Sequence, residues 1–144
     1  NGNAKIVTSG SLSDTDKDKY KTSGNASYGT GTVANYRRLQ VFTATSSYSL
    51  SSISLYLSKY GSPTDNITVA IYGATGSSGS RKPSSTLHGT SNAVDASTLK
   101  TIPSAGAFDA EWVNFTFSSP IPISSGTSYC IVPDRSGSGS NANY

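Results

Sequence analysis

The 144-residue chain has one cysteine (Cys130), one histidine (His88), one glutamate (Glu111), one glutamine (Gln40), one tryptophan (Trp112) and no methionine. Each shortage excludes something. A lone cysteine forms no disulfide within the chain, and one cysteine with one histidine makes no zinc cluster. With Glu, Gln and Met nearly missing, strong helix formers are scarce, whereas Val, Ile, Thr and the aromatics, which favour strands, number 45. A mainly helical protein is thereby excluded. No apolar run approaches the ~18–20 residues of a membrane-spanning helix, and no signal peptide is visible. Charge is also thin. Eleven Lys and Arg against eight Asp and Glu leave +3, and only Arg37-Arg38 and Arg81-Lys82 are adjacent. Nucleic-acid binding requires a concentrated basic patch, so neither nucleic acid nor membrane insertion is expected.

What the chain has in abundance is serine and threonine, 45 of 144 residues. Leu, Ile, Val and Phe sum to only 26, which touches the range of disordered chains, but the low net charge removes the other half of that signature. One thin-cored domain with a broad polar surface remains, burying about 68–70% of its unfolded surface. Alternation supports it. Ile53, Leu55 and Leu57 alternate with Ser54, Tyr56 and Ser58. Ile67, Val69 and Ile71 alternate with Thr68, Ala70 and Tyr72, and Val113, Phe115 and Phe117 with Trp112, Asn114 and Thr116. A two-residue period marks half-buried strands, and these apolar sets are expected to face inward. The Gly61-Ser62-Pro63 turn between the first two runs suggests that they pair antiparallel. Residues 73–85 read as a long loop, residues 86–103 hold two weak strands around Leu87 and Leu99, and Ser124-Ser125-Gly126-Thr127 turns into a last strand, SYCIVP. Seven or eight short strands with turns between them predict an all-β fold, an antiparallel β-sandwich of jelly-roll or Greek-key type. Residues 36–133 form that domain. Residues 1–35 are an N-terminal extension, or a first strand (residues 4–9) with polar loops, and residues 134–144 a Gly/Ser/Asn-rich linker or tail. A start at Asn1 suggests signal-peptide cleavage, a domain taken from a longer chain, or a start upstream of the first residue given.

Phe42, Gly61 and Pro63, Tyr72, Trp112, Phe115 and Phe117, Pro120, and Gly126, Thr127 and Tyr129 follow one another in a recognisable order. Over residues 36–133 the chain resembles a broad group of jelly-roll-like, carbohydrate-binding-module-like β-sandwich modules found in bacterial extracellular proteins and in phage tail and other virion proteins. The resemblance implies a non-catalytic adhesion, carbohydrate-binding or structural module, placed extracellularly or on a virion surface.

The candidate ligand-binding residues are aromatic. By alternation, Tyr56 and Tyr72 point away from the apolar faces of their strands, so paired strands would carry both rings on one exterior face, with Tyr60 near the turn. Aromatic rings pack against the C–H faces of sugars and suit protein interfaces equally; the ordinary alternative is cross-strand pairing on a wet sheet face. Trp112 lies opposite Val113, Phe115 and Phe117. It is open as a ligand platform, although core or inter-element packing is its ordinary role. Asp14, Asp16 and Asp18 form a D-x-D-x-D run whose carboxylates suit Ca²⁺ on a flexible loop, the alternative being a solvated loop balanced by Lys17, Lys19 and Lys21. No other cofactor is indicated. Asp109 and Glu111 are a poor basis for a glycosidase, and His88, Asp95 and a serine lack a Gly-x-Ser-x-Gly elbow, so no enzyme is expected. Cys130 reads as a small buried hydrophobe.

Two functions stay open. One is surface-displayed adhesion to a glycan or envelope component. The other is a structural subunit that polymerises into, or decorates, a capsid, tail or filament, with a free N-terminal strand adding to a neighbour's sheet.

Overall fold

The computed structural model describes residues 39–78, 80–103 and 109–136 fully and residues 4–8 and 15–20 as backbone. Within these, the chain is strand almost throughout: β1 (Ala4–Thr8), β2 (Thr15–Tyr20), β3 (Gln40–Thr43), β4 (Tyr48–Leu57), β5 (Asn66–Thr75), β6 (Lys82–Thr90), β7 (Val94–Asp95), β8 (Glu111–Ile123) and β9 (Ser128–Arg135), with one 3-10 turn at Ala96–Thr98. The first sheet has the order β2-β1-β4-β8 and the second β3-β9-β5-β6, with β7 continuing β6 along the edge of β5. All pairs of strands are antiparallel.

Both sheets contribute to one buried cluster. Leu50, Ile53, Leu55, Phe115, Phe117, Ile121 and Ile123 come from the first, and Phe42, Ile67, Val69, Ile71, Tyr129 and Ile131 from the second. The expected inward residues are buried except Leu57 at the end of β4 and Val113 near the start of β8, which are half-buried against the core. Leu50 and Ile53 both reach the core although their spacing breaks the period of two. The pairing of β4 with both of its neighbours skips Ser51, and such a bulge resets the phase. Gly89 lets β6 approach the first sheet, because a Cβ there would stand 2.8 Å from Ile121 Cδ1. The turn expected at Ser124–Thr127 forms with Gly126 at φ 75°, a conformation open to glycine. Pro120 and Pro122 lie in β8, an edge strand, which tolerates prolines.

Two polar clamps hold the ends. Arg135 donates from Nε and Nη2 to Asp65 Oδ2 and Oδ1 at 2.5 and 2.7 Å, with side chains only 11% and 9% exposed. Buried Ser91 donates its N–H to the Val69 carbonyl and accepts the Val69 N–H on its hydroxyl, both at 2.9 Å. The next residue, Asn92, donates its N–H to the Thr116 carbonyl. One dipeptide thus ties β5 of the second sheet to β8 of the first.

Several expectations are corrected. β4 and β5 do not pair; they lie in different sheets, because the connection after β4 turns aside to bond with residues 100–102 (Lys59 N–H to Lys100 carbonyl, Ile102 N–H to Lys59 carbonyl, each 2.8 Å). The loop expected over 73–85 is shorter, since β5 runs to Thr75 and β6 starts at Lys82. The weak strand expected around Leu87 is β6, and it starts earlier, at Lys82; an edge strand exposed along most of its length needs no apolar alternation to mark where it begins. β1 is paired on both sides, with β2 and β4.

Candidate functional site

β4 and β8 meet in register, and Tyr56 stands directly opposite Trp112. Their neighbours Leu55 and Val113 turn inward, so these two rings turn away from the core. The ring centroids are 5.3 Å apart and the planes are inclined by 59°, a contact geometry favoured by aromatic pairs. Yet Tyr56 is 43% and Trp112 45% exposed. Trp112 therefore does not take the core position that is ordinary for its type, because the alternation of β8 gives the core to Val113, Phe115 and Phe117.

The pair has a polar rim. Lys100 Nζ bonds Asp109 Oδ1 at 2.5 Å, and the Lys100 backbone N–H donates to Glu111 Oε1 at 2.9 Å. The hydrogen bond to Asp109 holds the Lys100 ammonium above its usual range, and the Tyr56 phenol and Glu111 act in the same direction. Asp109 thus holds the Lys100 ammonium and Glu111 its backbone, with the ammonium near enough to the Tyr56 phenol to be influenced by it. The rim was not legible beforehand, because residues 100 and 111 meet only through the fold.

Beyond the rings, the outward row of β8 continues as Asn114, Thr116 and Ser118, all exposed. Ser54 Oγ donates to Asn114 Oδ1 (3.3 Å), Asn92 Nδ2 to Thr116 Oγ1 (2.9 Å), and Ser118 Oγ to Asn92 Oδ1 (2.8 Å). On the other side of β4, Lys5 of β1 stands in register with Ser54.

The remaining candidates are dispersed. Tyr72 belongs to the second sheet, in register between Cys130 and Leu87, and is half-buried, so it shares no face with Tyr56. Tyr60 is half-buried in the connection after β4. Asp14 lies outside the described residues. Asp16 and Asp18 fall on β2, an extended strand where a loop was expected. Among the described residues no three His, Cys, Asp or Glu side chains are grouped to hold a metal. Asp95 Oδ1 accepts the Ser97 N–H at 2.8 Å, capping the 3-10 turn, while His88 packs edge-on against Tyr129. Cys130 is buried, and burial pushes its thiol up.

No protein-family model, curated protein or solved structure matches the chain.

Proposed function

We propose that this chain is a non-catalytic β-sandwich module of jelly-roll or Greek-key type. It is displayed on an extracellular or virion protein and attaches it to a glycan or envelope component through Tyr56 and Trp112. The observation that carries this reading is the exposed pair itself. Two large rings in mutual contact stand out of a Ser/Thr-rich sheet face, where apolar area for binding is scarce. Rings held against one another are pre-ordered, so a sugar's C–H face meets them at little entropic cost. The alternative of a free N-terminal strand that joins a neighbouring subunit loses its motive, since β1 is already paired on both edges.

The test is a glycan array and a cell-binding assay with the native chain and a Tyr56→Ala/Trp112→Ala variant of matched melting temperature. The native chain is expected to bind a defined set of glycans and the variant to lose them. Equal binding by both, or none by the native chain, overturns the reading.

A further inference from the structure

We infer that Asn114 and Thr116 extend the Tyr56–Trp112 site along β8, so that the module takes an extended glycan chain lengthwise and reads its hydroxyl pattern beyond the first ring. This rests on the glycan reading above. Trp112, Asn114, Thr116 and Ser118 are exposed in one outward row. At ~3.3 Å per residue, Trp112 to Thr116 spans about 13 Å, longer than a single sugar ring. The row is also oriented. Asn114 Oδ1 is engaged by Ser54, which leaves the two Nδ2 hydrogens as donors to an incoming group. Thr116 Oγ1 accepts from Asn92 Nδ2, so its own hydroxyl hydrogen is available to donate. Ser118 donates to Asn92 Oδ1 and keeps its lone pairs for accepting. Reading outward from the rings, β8 offers an amide donor, a hydroxyl donor and a hydroxyl acceptor. Asn92 is the positioning residue that sets the last two, and it is itself held on β8 by its backbone bond to Thr116. A surface of unoriented serines would adapt to any hydroxyl. This one has its donors and acceptors assigned before a ligand arrives, which is how a polar row discriminates one glycan from another.

Trp112 is the only tryptophan, so its fluorescence and quenching by acrylamide report directly on the ring end of the site. The native chain is titrated with cello-, xylo-, manno- and chito-oligosaccharides from disaccharide to hexasaccharide. The same titrations are run on Asn114→Asp, which keeps the acceptor for Ser54 and removes the donors, and on Asn114→Ala. For at least one series the native affinity is expected to rise with length. Both variants should lose about two- to tenfold, the worth of one net hydrogen bond, on the longer oligosaccharides and nothing on the disaccharide. Length-independent native binding, or an equal loss at every length, overturns the inference while leaving the glycan reading intact. If no oligosaccharide shields Trp112, both fall.

Discussion

Each sheet turns an aromatic ring away from the common core and has an ion pair close by, and the two sets end in opposite states. On the first sheet the outward ring pair Tyr56–Trp112 stands in solvent, and its ion pair, Lys100–Asp109, has side chains 43% and 58% exposed. On the second sheet the outward ring, Tyr72, is half-buried in a row with Val41, Cys130 and Leu87, and the ion pair Arg135–Asp65 is nearly dry. For Trp112, position within the sheet contributes to the difference, whereas Tyr56 is exposed on the interior strand β4. β8 is an edge strand, so Trp112 has β4 on one side only. β9 and β5 are interior strands, and β9 buries Tyr129, Cys130, Ile131 and Val132 in succession, on both of its faces. Residue type alone therefore assigns no role. A solvated ring and ion pair are available to a ligand; a half-buried ring and a buried ion pair hold the fold.

The largest expected consequence concerns the ion pairs. Asp65→Ala leaves the Arg135 guanidinium buried without its carboxylate and should cost about 3–5 kcal/mol, whereas Asp109→Ala should barely move the urea midpoint, since exposed pairs contribute little. Comparable midpoints for the two variants would erase the contrast. Next, Cys130→Ser places a hydroxyl in an apolar row and should cost about 1–3 kcal/mol. Consistent with burial, a thiol reagent should modify Cys130 slowly in the native protein and completely after denaturation.

A smaller effect separates the tyrosines. Tyr72→Ala should lose about 1 kcal/mol, roughly half of what full burial of a ring contributes, and Tyr56→Ala less; thermal melts of both variants give the order. The smallest effect is pH-dependent. The Ser97 N–H bond lowers the Asp95 pKa below 3.8. A carboxylate with a depressed folded pKa adds stability above its unfolded value and loses it as pH falls through the folded one. Asp95→Ala should therefore melt slightly lower than the native chain at neutral pH, and the gap should narrow below pH 3.8. A gap constant with pH would remove the capping charge from the account.

How far the residues announced this arrangement follows from what alternation can report. In Ile67, Val69 and Ile71, or Phe115 and Phe117, a period of two assigns the inward face, and the buried cluster agrees. It does not report the partner strand. The Gly61-Ser62-Pro63 turn suggested a hairpin, but the residues it leads to belong to the other sheet. A shared face for Tyr56 and Tyr72 fails with that hairpin, and the ring that meets Tyr56 is Trp112. β2, reading TDKDKY, and β6, reading KPSSTLHGT, show no apolar alternation, because edge strands can form with polar residues on both faces. The Lys100 rim depends on contacts made only after folding.

Under the proposed function, the wet ring of the first sheet binds and the shielded ring of the second does not. The most direct measurement compares affinity for one array-selected glycan among the native chain, Tyr56→Ala and Tyr72→Ala, each at a temperature well below its melt. Tyr56→Ala should lose about 2 kcal/mol or more, the usual cost of truncating a central aromatic contact, and Tyr72→Ala should bind as the native chain does. Loss of affinity in Tyr72→Ala with Tyr56→Ala unchanged would contradict the account and place the binding face on the second sheet.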